Sequence, residues 1–195
     1  MENTVDLRIV EEPKRSLSMD PKKFGMWLFL STVMMLFMAI TSAYIVRQAE
    51  GNWVYFELPF SFYVTSFVIV ASSVTMQLAY RASKRDRVQQ SKLFITLTSV
   101  LGVVFLAGQF MGWQQLVASN IYLVGNPSGS FLYVITGLHG LHLISAIAFL
   151  FIILAAVFKG NVSSKNMTKM EMCTTYWHFL GGLWLYLFIF LILYR

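Results

Sequence analysis

Long apolar runs alternate with short polar connectors along this chain. Five runs stand out, at about 24–46, 58–80, 93–118, 130–158 and 171–194, each at least 23 residues long. A helix rises about 1.5 Å per residue and the hydrocarbon core of a bilayer is roughly 30 Å thick, so every run can cross it with some tilt. No Asp, Glu, Lys or Arg interrupts the runs before Glu171, at the edge of the fifth. A charge at the centre of such a helix costs about 2.5–3.5 kcal/mol. The four prolines (Pro13, Pro21, Pro59, Pro127) fall outside the helix interiors. Asp20-Pro21 reads as an N-cap followed by proline at the first helical position. The pattern predicts an all-α integral membrane protein. A polar tail over 1–23 precedes a five-helix transmembrane bundle over 24–195. The tail is too polar for a secretory signal peptide, so the first span is expected to act as an uncleaved signal.

Composition agrees. Of 195 residues, 57% are hydrophobic and 12% charged, too few charges to cover the surface of a soluble domain. The single cysteine, Cys173, excludes an internal disulfide. The net charge of +6 first suggests a nucleic-acid partner, but its distribution argues otherwise. Five cations lie in the N-terminal tail, five between Arg81 and Lys92, and three between Lys159 and Lys169. Only Arg47 and Arg195 lie on the opposite side of a five-span chain. This bias predicts that the N-terminus is cytoplasmic and the C-terminus outside.

Polar groups within the spans are the candidates for chemistry. In the second span Ser61, Thr65, Ser72 and Thr75 follow a helical face, extended by Ser66, Ser73 and Gln77. Hydroxyls at such spacing suit close helix–helix packing; an ion pathway would need charged or coordinating groups. The third span carries Gly102 and a GxxxG pair, Gly108 and Gly112, which admits a neighbouring backbone. Gln109 on the same helix needs a hydrogen-bond partner in hydrocarbon, and Trp113 follows one turn later. The fourth span holds His139 and His142, the fifth His178. From the span ends, His142 lies about 18 Å and His178 about 11 Å deep, from opposite faces, hence at similar levels. Three readings stay open: neutral histidines hydrogen-bonded to neighbouring helices or lipid head groups, axial ligation of a b-type haem, and a metal site. The metal reading lacks a carboxylate to orient the imidazoles. The spans contain no embedded acid for a proton relay, and no serine has an acid partner for nucleophilic catalysis. Without in-span prolines or an internal repeat, a transporter is disfavoured.

Four segments resemble subunit III of the haem–copper terminal oxidases in its short five-helix bacterial form. They are GMWLFLS over 25–31; FLAGQ over 105–109 with Trp113; GSFLY over 129–133 with TGLHGLH over 136–142; and YWHF over 176–179 with WLYLF over 184–188. The resemblance implies an accessory subunit of an aa3-type respiratory oxidase in the bacterial inner (cytoplasmic) membrane, with no haem, copper or active site of its own. It would pack on the large catalytic subunit I, alongside the copper-bearing subunit II, and hold phospholipid. Subunit III of a quinol oxidase is the alternative, because this subunit does not contact the electron donor in the family. His139, His142, His178, Tyr176, Trp177, Gln109 and Trp113 become candidates for lipid contact or helix packing, with Gly108 and Gly112 as packing glycines. The sequence departs from the family pattern where carboxylates are usual. Thr32, Gly112 and Gly181 stand in their places, which points to a structural, lipid-holding role more than a proton-handling one.

The orientation is testable by labelling. With Cys173 replaced by Ser, a thiol introduced as Asn120→Cys should react with a membrane-impermeant maleimide in intact cells. A thiol introduced as Lys84→Cys should react only after permeabilisation; the opposite pattern would reverse the assigned topology.

Overall fold

The computed structural model describes residues 20–159 and 167–194; most of the polar tail, 1–19, lies outside them. Five helices account for the described chain: α1 (Pro21–Ala49), α2 (Phe60–Lys84), α3 (Val88–Ala118), α4 (Pro127–Phe158) and α5 (Thr168–Tyr194). All five are long and apolar enough to cross a membrane.

The helices extend past the apolar runs at several ends. α3 begins at Val88, α4 at Pro127 and α5 at Thr168, and α2 continues to Lys84. Hydropathy marks the hydrocarbon, whereas the helix continues through the interface until a cap ends it. Asp20 accepts a hydrogen bond from the Lys22 N–H at 3.0 Å, with Pro21 at the first helical position. Asn126 does the same for α4, accepting from the Ser128 N–H at 2.9 Å with Pro127 following it. At α2 the extended Pro59 takes the N-cap position.

α2, α3, α4 and α5 form a closed ring in which each helix touches the next and α5 returns to α2. α1 stands outside the ring, against the groove between α4 and α5, and touches no other helix. The connector over 50–59 crosses one end of the bundle to reach α2, and its Trp53 packs on Tyr44 of α1 and Phe131 of α4.

Glycine sets the spacing inside the ring. A Cβ at Gly108 would meet the Thr65 methyl, and one at Gly112 would meet the Phe62 ring, so α2 is seated on a glycine strip of α3. A Cβ at Gly102 would lie 2.6 Å from the Trp177 indole, which lets the bulkiest side chain of α5 reach the ring's centre. Without hydrophobic force between helices in lipid, such close approach and the dispersion contacts it brings hold the bundle together. Gly108→Leu should therefore lower stability by about 1–3 kcal/mol, as overpacking does. Thermal unfolding in detergent would check this, and an unchanged midpoint would mean that α2 and α3 do not meet there.

Candidate functional site

The polar residues of the spans sort into two groups. One locks the ring; the other lines the seam between α1 and α5.

The lock centres on α2. Trp177 donates its indole N–H to Ser72 at 2.8 Å, and Trp184 donates to Ser66 at 2.9 Å. Gln109 donates from its amide nitrogen to Thr65 at 3.0 Å. Thr65 and Ser66 in turn donate to the same carbonyl, that of Phe62. Thr75 and Thr98 share a hydrogen bond of 2.8 Å between α2 and α3, and Trp113 joins α3 to α4 through Thr136 at 3.0 Å. The hydroxyls of α2 thus divide between two neighbours: Ser66 and Ser72 serve α5, Thr65 and Thr75 serve α3. The indoles of Trp113, Trp177 and Trp184 and the Gln109 amide nitrogen each find an acceptor where water is absent, whereas the Trp53 indole N–H, in the 50–59 connector, is buried without one.

The histidines part company. His139 is fully buried, enclosed by Phe37, Phe105 and Trp184 at ring separations of 6.4, 6.2 and 5.2 Å. Neither of its nitrogens has a hydrogen-bond partner, and the Gln109 carbonyl oxygen is also unpaired. Of the readings left open, hydrogen bonding to a neighbouring helix does not describe His139: ring contacts, not polar partners, surround it. His142 donates from Nδ1 to the Leu138 carbonyl at 2.7 Å and packs its ring on Phe37. His178 donates from Nε2 to the Gln77 side-chain oxygen at 3.1 Å. His139 lines neither of the two cavities that His178 lines, so the two do not face one opening as axial ligands would. Among the described residues no three His, Cys, Asp or Glu side chains are grouped to hold a metal ion.

The α1–α5 seam is polar at both ends and in the middle. Lys23 pairs with Glu171, which also accepts from the Tyr80 hydroxyl at 3.2 Å. Thr41 and Tyr186 share a hydrogen bond of 3.0 Å. At the far end Tyr44 and Gln48 of α1 donate to the Tyr194 carbonyl, an orphan of the last turn of α5, at 3.2 and 2.9 Å. Between these ties run three cavities of about 350, 480 and 460 Å³. The first and second share His178, and the second and third share Met38 and Tyr186. They follow one another along the seam, and the first is polar, lined by Lys23, Glu171 and Gln77. Tyr176 lies on α5 beside this seam, its hydroxyl 2.7 Å from that of Ser145 on α4 and its ring edge-on to Phe29 of α1. Sequence reasoning passed over the Lys23–Glu171–Tyr80 cluster. Its signal was present: the first and fifth spans of an up-and-down chain begin on the same side.

The family model for cytochrome c oxidase subunit III matches residues 14–195. The chain belongs to this family. It is 32% identical over 171 residues to a probable cytochrome c oxidase subunit 3 of Nocardia farcinica, covering 84% of this chain and 83% of that one. It is 27% identical over 173 residues to the cytochrome c oxidase subunit 3 of Corynebacterium diphtheriae, covering 85% and 84%. A probable quinol oxidase subunit 3 of Staphylococcus saprophyticus is 25% identical over 192 residues, covering 95% and 92%. Subunit III chains of both kinds of haem–copper oxidase are therefore among its relatives.

In this subunit III chain, the three positions expected to carry carboxylates have distinct surroundings. Thr32 is exposed on α1 and turns its hydroxyl back to the Phe29 carbonyl at 2.7 Å. Gly112 lies under the Phe62 ring, and a Cβ at Gly181 would stand 3.1 Å from the Ser73 hydroxyl. Two of the three positions thus have α2 packed directly against them: at Gly112 the Phe62 ring leaves no room for a side chain, and at Gly181 one would crowd the Ser73 hydroxyl. The indole locks are open to measurement. A double-mutant cycle of Ser66→Ala and Trp184→Phe should give a coupling of about 0.6–1.7 kcal/mol, the range found for hydrogen bonds between membrane helices. A coupling of zero would mean that the indole finds another acceptor.

Proposed function

We propose that this chain is the accessory subunit III of an aa3-type terminal oxidase in the bacterial cytoplasmic membrane, with its N-terminus inside and C-terminus outside. It packs on the large catalytic subunit beside the copper-bearing subunit II and holds phospholipid. Haem and copper belong to those partners, and this chain supplies no redox centre. The observation that carries the reading is the family match over 14–195, which takes in the whole described bundle. The orientation is supported by thirteen cations on one side of the chain against two on the other.

Lipid holding is supported by the groove between α1 and α5. Its walls are Met34, Phe37, Met38, Phe179 and Leu183, its floor includes Gly182, and its mouth carries a cation and a carboxylate. A Cβ at Gly182 would meet nothing within 4 Å, so no internal packing explains a glycine that costs the helix about 1 kcal/mol. An acyl chain lying in the groove would. A structural role over a proton-handling one is supported by the three missing carboxylates. Thr32→Glu should assemble and leave the proton-to-electron stoichiometry of the oxidase unchanged; a clear change would give that position a part in proton handling.

The relatives named as quinol oxidase subunits favour a second reading of the same kind, with quinol as the electron donor. One purification tests both. The tagged chain, extracted in mild detergent, should come down with a large multi-span subunit that carries the haem absorption. A copper-binding cysteine pair in the second partner would identify cytochrome c as donor, and its absence would identify quinol. Recovery of the chain alone would overturn the accessory role, and a haem band on that lone chain would establish histidine ligation instead.

A further inference from the structure

The turn between α2 and α3 is built from the run RASKRDR over 81–87, four cations and one acid. Its backbone is pinned. The Asp86 N–H donates to the Ser83 carbonyl and the Arg87 N–H to that of Ala82. Below them the Ser83 and Ser91 hydroxyls join the two helices at 2.6 Å. The arginines therefore emerge from fixed points.

Arg81, Arg85 and Arg87 line a single cavity of about 320 Å³, with Gln90 beside them and Leu78 and Phe94 on its apolar side. The Arg87 guanidinium donates to the Gln90 side chain at 3.5 Å, which keeps it on that side of the turn. α3 starts at Val88 with no side-chain cap, so its first-turn N–H groups add the positive end of a helix dipole to the same place. Asp86 offsets one of the charges and leaves the turn at a net +3. Beneath the arginines the surface turns apolar: Leu78 and Val74 on α2 and Leu97 on α3 are exposed. Positive-inside bias explains the sign of this segment. It does not explain three arginines lining one cavity beside exposed apolar side chains.

We propose that this cavity binds the phosphate of an anionic phospholipid, with the acyl chains running along Val74, Leu78 and Leu97. Guanidinium forks match phosphate oxygens in pairs, and basic pockets between helices at the membrane surface take anionic head groups. A soluble phosphate would satisfy the arginines and leave the apolar strip unused. The inference stands on the turn alone and does not depend on the electron donor or on the α1–α5 groove.

The test uses the full chain with its associated subunits, stripped of lipid by detergent exchange. Binding of phosphatidylglycerol, phosphatidylcholine and inorganic phosphate is then followed by native mass spectrometry. Phosphatidylglycerol should bind about tenfold or more tightly than phosphatidylcholine, because each nearby basic residue contributes to anionic-lipid attraction. R81Q/R85Q/R87Q should remove that preference. R81K/R85K/R87K keeps the charge and loses the forks, so it should keep a preference for the anionic lipid but bind it several-fold more weakly. These side chains are exposed, so both variants should keep the thermal midpoint of the assembly; the single variant R85Q gives the same reading with less disturbance. Unchanged phosphatidylglycerol affinity in the lysine variant would reduce the site to diffuse charge and overturn the proposal. Equal binding of the two lipids, or displacement of phosphatidylglycerol by inorganic phosphate at matching concentration, would overturn it as well.

Discussion

The indole N–H groups of Trp177 and Trp184, buried in hydrocarbon, need acceptors, and α2 supplies both. Trp177 and Trp184 are the largest fully buried side chains, and each ends on a serine of α2. Their rings occupy the centre of the four-helix ring, so the positions of the other helices follow from them. α3 must carry glycine at 102 to admit Trp177. It must carry glycine again at 108 and 112, because the turn of α2 that presents Thr65 and Phe62 lies against it. Bulk on α5, hydroxyls on α2 and bare backbone on α3 form one arrangement. Replacing any of the three parts would leave either an unpaired polar group or two atoms in the same place.

That arrangement bears on the chemistry available to the chain. An acid at 112 or 181 would stand where α2 now packs, beside Phe62 or Ser73. The core is specified by neutral hydrogen bonds and ring contacts, and its one fully buried imidazole, His139, is held by three aromatic rings. Carrying protons through a membrane takes a chain of titratable groups, and the described core is instead neutral and close-packed. The charged groups are confined to the ends of the helices, where Lys23 meets Glu171 and where the arginines of the α2–α3 turn gather.

Much of the architecture was legible from residues. Five uncharged runs gave five helices, and Asp20-Pro21 marked a start that the cap confirms. The hydroxyls of the second span could be seen as packing groups. Their partners could not, because a lipid-facing surface and a helix-facing surface are equally apolar and periodicity does not separate them. For the same reason nothing in the pattern placed α1 outside the ring. Gly112 and Gly181, read against the family as missing acids, are better understood through what touches them, which only a structure shows. None of the readings open for His139 was aromatic enclosure; its neighbours Phe37, Phe105 and Trp184 come from three different helices, and no local signal links them.

α1 touches only α4 and α5, which sets an order on assembly. α1 is made before α4 and α5, and among the described helices it has no partner until α4 begins at Pro127. At about 5–20 residues per second, that is a wait of about 4–16 s in the bilayer. During that time α2 and α3, adjacent in sequence and joined by a three-residue turn, can pair without help. A lone α1 presents its Met-rich flank and its Thr41 hydroxyl to lipid until Tyr186 arrives. The insertion machinery, or another membrane protein made alongside, would have to tolerate or shelter that orphan helix until α4 and α5 are in place.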